Sequence, residues 1–600
     1  MSPLLGPIFV REWRTLPRWP GHYALRAAYL GLLWVLSVTA WQALVGWNRA
    51  ATLGEWARFG PLLFQLLAYV QLTLTLFFSG LLAASAVAQE KERGTLDLLL
   101  LTDMRPYEIV LGKLLGSLLP VLVLWMGSVP ILAALLLLGG LTALQVGQVT
   151  LIVLAAALAV GSLGGLMALW RERTFPALAL TVLALVLYLG MAHVVGAVTA
   201  KTFPASTSLL IQASLDPFTA LHVALDPFTA TEQAALPLGG FLSTMMALTV
   251  ALNGWSMYRL RTWAKKVSSG QWSVGGPRLA SEPEASAPRK QPTGTHRTVW
   301  DNPILWRELR TSAYGRWPVL IKLAYLVVVI LVCLAAWPEG LGEAKRSTYV
   351  AARGLVPVTI LSLLLVGAQA VTALTSERDS RALDLLLVTD LTPREFIFGK
   401  LAGIAYNAKE YLVLPLVLVG VYAALGELAT PRTWGRNIEA GVCLALGLLV
   451  LLAFALVLGV HVALRVSNSR QAIAHVLGTL VFLSVGTLVC VYLILMAGRF
   501  EYQWTSFLFF LVAAIGGLWW VLSGDRPAPA LTLASWLCPL AIFYAVSYLL
   551  IGRPGTGQSA DPLIPLLVIA SSFGFTIAAM LVPMLSEFDV ALGRTREANE

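Results

Sequence analysis

The chain has 600 residues, of which 58% are hydrophobic and 12% charged, and its formal net charge is +10. Because soluble domains carry roughly 25% charged residues, this composition excludes a soluble globular protein. The positive charge is explained by topology, since lysine and arginine accumulate on the cytoplasmic side of membrane proteins, and we expect no nucleic-acid partner. Long uncharged runs that can cross the hydrocarbon core predict an all-α polytopic membrane protein.

Apolar segments predict two repeated bundles, each of six or more transmembrane helices. The first set lies near residues 21–47, 60–88, 112–138, 143–169, 176–199 and 236–260, and the second near 317–338, 348–375, 401–426, 437–464, 472–497 and 561–587. Two further stretches, 505–522 and 532–551, are either two extra spans or a re-entrant hairpin on the outer face. The expected total is about 12–14 spans.

A polar segment at 265–300, rich in Ser, Gly, Pro and charge, separates the two sets of spans. Such a composition cannot bury enough apolar surface to fold, so it predicts a flexible cytoplasmic linker between a first half, 1–264, and a second half, 301–600. Basic residues collect in alternate loops. This bias predicts a multi-pass protein of the cell membrane with both termini in the cytoplasm.

A short amphipathic segment precedes each set of spans, GPIFVREWR from Gly6 and NPILWRELR from Asn302. At 100° per residue, Trp13 lies on one helical face and Arg11 and Arg14 on the other. The pattern predicts helices at 6–18 and 302–316 that lie in the headgroup plane in contact with membrane lipid. They are either ordinary juxtamembrane anchors or elbow helices that also touch a cytoplasmic partner. The elbow candidates are Arg11, Trp13, Arg14, Arg307, Glu308 and Arg310.

One polar interruption occurs twice, as EKERGTLDLLLLTDMRPYEIVLGK in loop 89–113 and as ERDSRALDLLLVTDLTPREFIFGK in loop 376–400. When the two LDLLL strings are aligned, the Glu, Asp, Thr-Asp, Pro and Gly-Lys positions coincide. Leucines rimmed by charge are typical of a docking surface, although they could also dip into the membrane interface. The candidates are Glu90, Lys91, Glu92, Arg93, Gly94, Thr95, Asp97, Thr102, Asp103, Glu377, Arg378, Arg381, Asp384, Thr389 and Asp390.

The chain after each repeated loop enters the next span. In the second copy, Thr392, Pro393 and Glu395 predict a helix that begins with a capping box. The first copy has Arg105 in place of the threonine, so its helix start is less well specified.

Two LDPFTA strings lie in a predicted outer loop before the last span of the first half. They either form an outer gate or simply mark turns of the chain, and the sequence favours neither interpretation. The gate candidates are Asp216, Pro217, Phe218, Asp226, Pro227 and Phe228.

Motifs for chemistry are missing from the sequence. The chain has no G-x-x-x-x-G-K-[ST] phosphate loop, so any ATP hydrolysis is expected from another polypeptide, and we predict no enzyme activity and no cofactor for the chain itself. The four cysteines lie in apolar segments and the histidines stand singly, so we expect neither a disulfide framework nor a metal site. An ion-coupled carrier is an alternative, but such carriers usually keep ionisable residues at the bilayer midplane, where these spans have few.

The order RGTLDLLLL, TD, P and GK, preceded by an elbow-like segment and followed by LDPFTA, resembles the permease subunits of type-2 ABC exporters. The resemblance implies two half-permeases fused in one chain, each loop acting as a coupling helix that docks on a cytoplasmic P-loop ATPase. Two ATPase copies would supply ATP and Mg chemistry, and the substrate stays unknown. Ser380-Arg381-Ala382 replaces Arg93-Gly94-Thr95 in the second copy, which leaves equal docking open. A membrane anchor that does not transport is a further alternative.

Overall fold

A computed structural model gives the fold of most of the chain. It describes residues 6–15, 20–44, 53–102, 104–137, 141–171, 173–225, 231–268, 302–310, 318–336, 349–380, 382–383, 391–428, 434–497, 504–523, 528–551 and 561–586. Throughout these ranges the regular structure is α-helical, which confirms the predicted all-α class.

Ten helices are described up to residue 268. They are α1 (Gly6–Thr15), α2 (Pro20–Leu44), α3 (Leu53–Glu92), α4 (Thr95–Leu100), α5 (Pro106–Leu137), α6 (Ala143–Trp170), α7 (Thr174–Thr202), α8 (Ala205–Leu215), α9 (Pro217–Leu225) and α10 (Thr231–Ser268). The last helix continues four residues beyond the predicted start of the linker, and the rest of the linker lies outside the described residues.

The second part of the chain repeats this order with additions. Its helices are α11 (Pro303–Arg310), α12 (Pro318–Ala336), α13 (Tyr349–Asp379), α14 (Pro393–Asn407), α15 (Lys409–Ala424), α16 (Trp434–Arg465), α17 (Ser469–Ala497), α18 (Trp504–Ser523), α19 (Pro529–Ile551) and α20 (Leu563–Ser586).

Nine of the described helices are long and apolar enough to cross a membrane, or up to eleven if each of two bent pairs is one span. One bent pair is α14 and α15, which meet at 58° inside the predicted span 401–426. The other is α8 and α9, which meet at 119°. This second pair corrects the prediction of an outer loop around Asp216, because residues 205–225 are helical apart from that single residue.

Close helix packing places α3 against α6, and α13 against α16. Gly164 on α6 lies against the backbone of Gly80, and Gly459 on α16 lies against Ala370. Small residues let two membrane helices approach until their backbones touch. These two crossings fix the ends of α3 and α13, from which the repeated loops emerge.

The inner end of the bundle is the end that carries α1, α4 and α11. The Arg465 guanidinium donates to Leu522 O at 3.0 Å, which brings the C-terminus of α18 to the level where α16 ends. Arg378, at the base of the second repeated loop, donates to Val466 O just beyond α16, so this level is the inner end. The α19 helix contains one of the nine candidate spans, Pro529–Tyr548, whereas α18 contains only a shorter apolar helix, Leu511–Ser523. The choice between two extra spans and a re-entrant hairpin stays a prediction.

The two halves pack side by side. The α7 helix contacts α12 and α13, and α2 contacts α17 and α18. One continuous core of buried side chains includes Ile8 and Leu81 from the first half and Ile304 and Val371 from the second. The inner ends of the halves therefore form one packed unit.

Candidate functional site

The first repeated loop contains a short helix set at an angle to the span before it. Gly94 has a φ of 69°, a left-handed conformation that ends α3 and lets α4 begin at once. The turn is closed by hydrogen bonds from Arg93 N to Gln89 O at 3.0 Å and from Gly94 N to Lys91 O at 3.2 Å. Residues with a Cβ pay about 1–2 kcal/mol for this conformation, which is why glycine occupies the turn.

Gly94→Val is expected to destabilise this turn, whereas Gly94→Asn is expected to be tolerated because asparagine visits the left-handed region. Hydrogen–deuterium exchange of residues 95–100 measures the effect. Exchange in the valine variant should rise by about tenfold for a cost near 1.4 kcal/mol. Equal exchange in both variants would mean that the turn does not depend on backbone conformation.

Two predicted docking residues are used inside the fold to cap the fourth long helix of each half. The Lys91 ammonium donates to Leu169 O at 2.6 Å and to Arg171 O at 2.9 Å, at the end of α6. In the same way, the Arg378 guanidinium donates to Ala463 O at 3.0 Å, near the end of α16. A cation at a helix C-terminus satisfies carbonyls that have no helical partner. Lys91 and Arg378 thus hold the loops to the bundle.

Glu92, a third predicted docking residue, is also internal. Its carboxylate accepts a hydrogen bond from Thr174 N at 2.7 Å, at the start of α7. An acidic side chain is favourable at a helix N-terminus, where N–H groups lack helical acceptors. The charged run at 90–92 therefore organises the inner end of the first half and does not project into solvent.

The first charge cluster consists of Glu12 on α1, Glu90 on α3 and Lys113 on α5. The Lys113 ammonium forms an ion pair with Glu90, and Lys113 is almost completely buried. Glu12 lies across Gly116, where an added Cβ would be 3.0 Å from the Glu12 Cγ. Glu12 also interacts electrostatically with Lys113. The cluster joins the elbow helix, the base of the loop and the following span.

The second charge cluster consists of Glu308 on α11, Glu377 on α13 and Lys400 on α14. The Lys400 ammonium contacts Glu308 Oε1 at 2.6 Å and Glu377 Oε1 at 2.7 Å. Glu308 lies across Gly403, which has no side chain to obstruct it. Burial opposes ionisation of Glu308, but Lys400 and Arg307 outweigh it and hold the pKa of Glu308 below its usual value.

The structure thus brings together residues that the sequence predicted separately, and adds three that it missed. Glu377 and Glu308 were predicted to serve the loop and the elbow, and Lys400 connects them. Glu12, Lys113 and Lys400 were not among the candidates. Their signal was present in the duplicated Gly-Lys pair and in the Arg-Glu pair that both elbow segments share.

The part of the first loop that remains exposed is small. Leu96 is buried and anchors α4, whereas Leu98 is 64% exposed and Leu101 is 83% exposed. Arg93, Gly94, Thr95 and Thr102 are exposed beside them. We call Arg93, Thr95, Leu98, Leu101 and Thr102 the loop surface. The Asp97 side chain, Asp103, Arg381, Asp384, Thr389 and Asp390 lie outside the described residues.

The elbow helices are shorter than predicted within the described residues, and both lie against a neighbouring helix. The α1 helix packs on α5 and the α11 helix on α14, with Asn302 Nδ2 donating to Glu395 O at 2.9 Å. Trp13, Arg11 and Arg14 are exposed, whereas Arg307 faces the second charge cluster. The Arg310 side chain and residues 16–18 and 311–316 lie outside the described residues.

The predicted capping box at the start of α14 is confirmed. Glu395 N donates to Thr392 Oγ1 at 3.3 Å, and Thr392 N donates to Glu395 Oε2 at 3.0 Å. In the first half Glu108 alone fulfils this role, by accepting from Arg105 N at 2.8 Å.

Of the residues predicted for an outer gate, those that the structure describes have a structural role. The Asp216 carboxylate accepts from Phe218 N at 3.2 Å and from Thr219 N at 3.1 Å, and so caps α9. Pro217 is buried and begins that helix. Asp226, Pro227 and Phe228 lie outside the described residues, and a gate remains a prediction.

Comparison with known proteins gives one family. Residues 33–264 match the family model described as ABC-2 family transporter protein. This range begins within α2 and ends within α10, so it contains the first repeated loop and the α8–α9 pair. No curated protein and no solved structure matches the chain.

Proposed function

We propose that the chain forms the translocation pathway of an ATP-driven exporter, because residues 33–264 match the family model described as ABC-2 family transporter protein. ATPase subunits on separate polypeptides would drive it, and ATP and Mg would bind to those subunits. The cell membrane is its expected location, with both termini in the cytoplasm. The second half, 301–600, would act as a second half-permease fused to the first.

The observation that carries this proposal is the loop surface. Leu98 on α4 and Leu101 directly after it are exposed, while Leu96 is buried on the opposite face of this short helix. Exposed leucines beside the Arg93 guanidinium form a surface suited to an apolar groove with an acidic rim. The base of the loop is fixed by Lys91 and by the first charge cluster. Movement of α4 by a bound partner would therefore be transmitted to α1, α3 and α5.

Two copies of one ATPase follow from the duplicated loop, one for each LDLLL string. In the first loop, the Thr95 hydroxyl donates a hydrogen bond to Glu90 O at 3.2 Å, and this bond fixes α4 to the end of α3. The second loop carries Arg381 at the position that Gly94 occupies in the first. Because of this difference, we expect the two loops to bind the ATPase with unequal affinity. We propose that both dock and that the first docks more tightly.

Replacing Leu98 and Leu101 with serine is expected to abolish ATPase association without loss of membrane insertion. Burial of a leucine contributes about 1.5–3 kcal/mol, so the two changes should weaken binding by at least about a hundredfold. Co-purification of the tagged chain in mild detergent, followed by mass spectrometry, measures the ATPase recovered. Leu137→Ser is the matched control, since Leu137 is an even more exposed leucine, at the far end of α5.

Undiminished ATPase recovery from the double variant would contradict docking through the loop surface. Recovery of no ATPase even with the unchanged chain would favour an ion-coupled carrier. An ATPase that associates but shows no substrate-stimulated turnover would favour the anchor that does not transport.

A further inference from the structure

The two charge clusters are built alike but completed differently. Each contains an elbow glutamate, a glutamate at the end of the second long helix and a lysine on the third. In the second cluster Arg307 of the same half adds another cation and contacts both Glu308 and Glu377. In the first cluster Arg11, the equivalent arginine, forms an ion pair with Glu12 and is mostly exposed.

The corresponding cation of the first cluster comes from the other half of the chain. Arg470, at the start of α17, donates to Ala86 O on α3 at 3.3 Å. It also interacts electrostatically with Glu90 and Glu12 of the first cluster. Arg470 thus adds positive charge beside the first cluster from the opposite half, whereas Arg307 adds it to the second cluster from within its own half.

A second polar link between the halves has its donors on the first half and its acceptor on the second. Arg93, on the loop surface of the first half, donates to Asp379 Oδ1 at 3.1 Å at the end of α13. Gln89 of the first half donates to the other carboxylate oxygen of Asp379 at 3.3 Å. Asp379 is the repeat equivalent of Glu92, which stays within its own half and caps α7. The two halves thus use one repeated position for different tasks.

We propose that Arg470 and Asp379 are positioning residues that clasp the inner ends of the two halves together. Arg470 binds the backbone of α3 beside the first charge cluster, and Asp379 accepts a hydrogen bond from Arg93. For its role in transport this inference rests on the proposed function, since the clasp must open when the inner end opens. An ATPase docked on the loop surface would compete with Asp379 for the Arg93 guanidinium. Docking would therefore weaken the clasp at the start of the transport cycle.

Spin labels at Thr102 and Ser380, two exposed positions at the inner ends of the two halves, measure the clasp. The chain alone, reconstituted in nanodiscs, is used in a background with its native cysteines replaced. Arg470→Gln combined with Asp379→Asn removes the charge of one partner from each link, and the two labels are the same in every variant. Loss of charge-assisted hydrogen bonds should raise the ratio of long to short distances by about tenfold or more.

Arg307→Gln is the matched control, since Arg307 completes the second cluster from within its own half. Its distance distribution should equal that of the unchanged chain. A shift of the same size in the control, or no shift in the clasp variant, would overturn the inference. Neither result depends on an ATPase, so failure of the clasp and failure of the proposed function can be told apart.

Discussion

Replacing Lys400 with methionine is expected to lower the free energy of unfolding by about 3–5 kcal/mol, as is typical when one partner of a buried ion pair is removed. Lys400 and Glu308 are 2% and 4% exposed. Without the ammonium, Glu308 and Glu377 would repel each other, and Glu308 is almost completely buried. Arg307 contacts both carboxylates, but its guanidinium cannot replace the buried ammonium that lies between them.

The effect is measured as the thermal midpoint of the solubilised chain, read by size-exclusion chromatography after heating. The matched control is Arg11→Met, which breaks the ion pair between Arg11 and Glu12 at 3.0 Å on the elbow helix α1. These side chains are 63% and 23% exposed, and exposed pairs contribute about 0–1 kcal/mol. Equal losses for the two variants would show that burial does not set the contribution of the second charge cluster.

Gly164→Ala is expected to destabilise the first half by about 1–3 kcal/mol, because the added methyl group overpacks a helix crossing. Its Cβ would lie well inside van der Waals contact with Gly80 O and 3.2 Å from Ala84 N. Neither obstacle is a flexible side chain, so α3 and α6 would have to separate along their length. The same change at Gly459 should weaken the crossing of α13 and α16, where the Ala370 methyl group and the Val371 backbone are the obstacles.

The neighbouring glycine gives a sharp control. An added Cβ at Gly165 meets nothing within 4 Å, and alanine is favoured over glycine in a helix by about 0.5–1 kcal/mol. Gly165→Ala should therefore leave the thermal midpoint unchanged or raise it slightly, whereas Gly164→Ala should lower it. Identical midpoints would mean that α3 and α6 adjust to the methyl group without cost.

The fourth and fifth spans of the first half are predicted well from the sequence. The predicted segments 143–169 and 176–199 agree closely with α6 and α7, because hydropathy over about 20 residues is a local property. The α8–α9 pair was missed since each helix is too short to span and a single aspartate separates them. Its bend depends on packing against α6 and α10, which no local pattern encodes.

What the sequence by itself determined is the all-α membrane class, spans such as 143–169 and 176–199, the helices that begin both elbow segments, and the capping box of α14. These follow from periodicity, hydropathy and capping residues, each of which acts within a few turns of one helix. The nine to eleven candidate spans of the described residues are fewer than the 12–14 expected. Only the tertiary structure decided which loop residues are available to a partner. The carboxylate of Glu90 meets Lys113 across 23 residues, and that of Asp379 meets Gln89 across 290. The direction of a charged side chain at a helix end is set by such distant neighbours, because burying a charge is favourable only where an opposite charge is already in place.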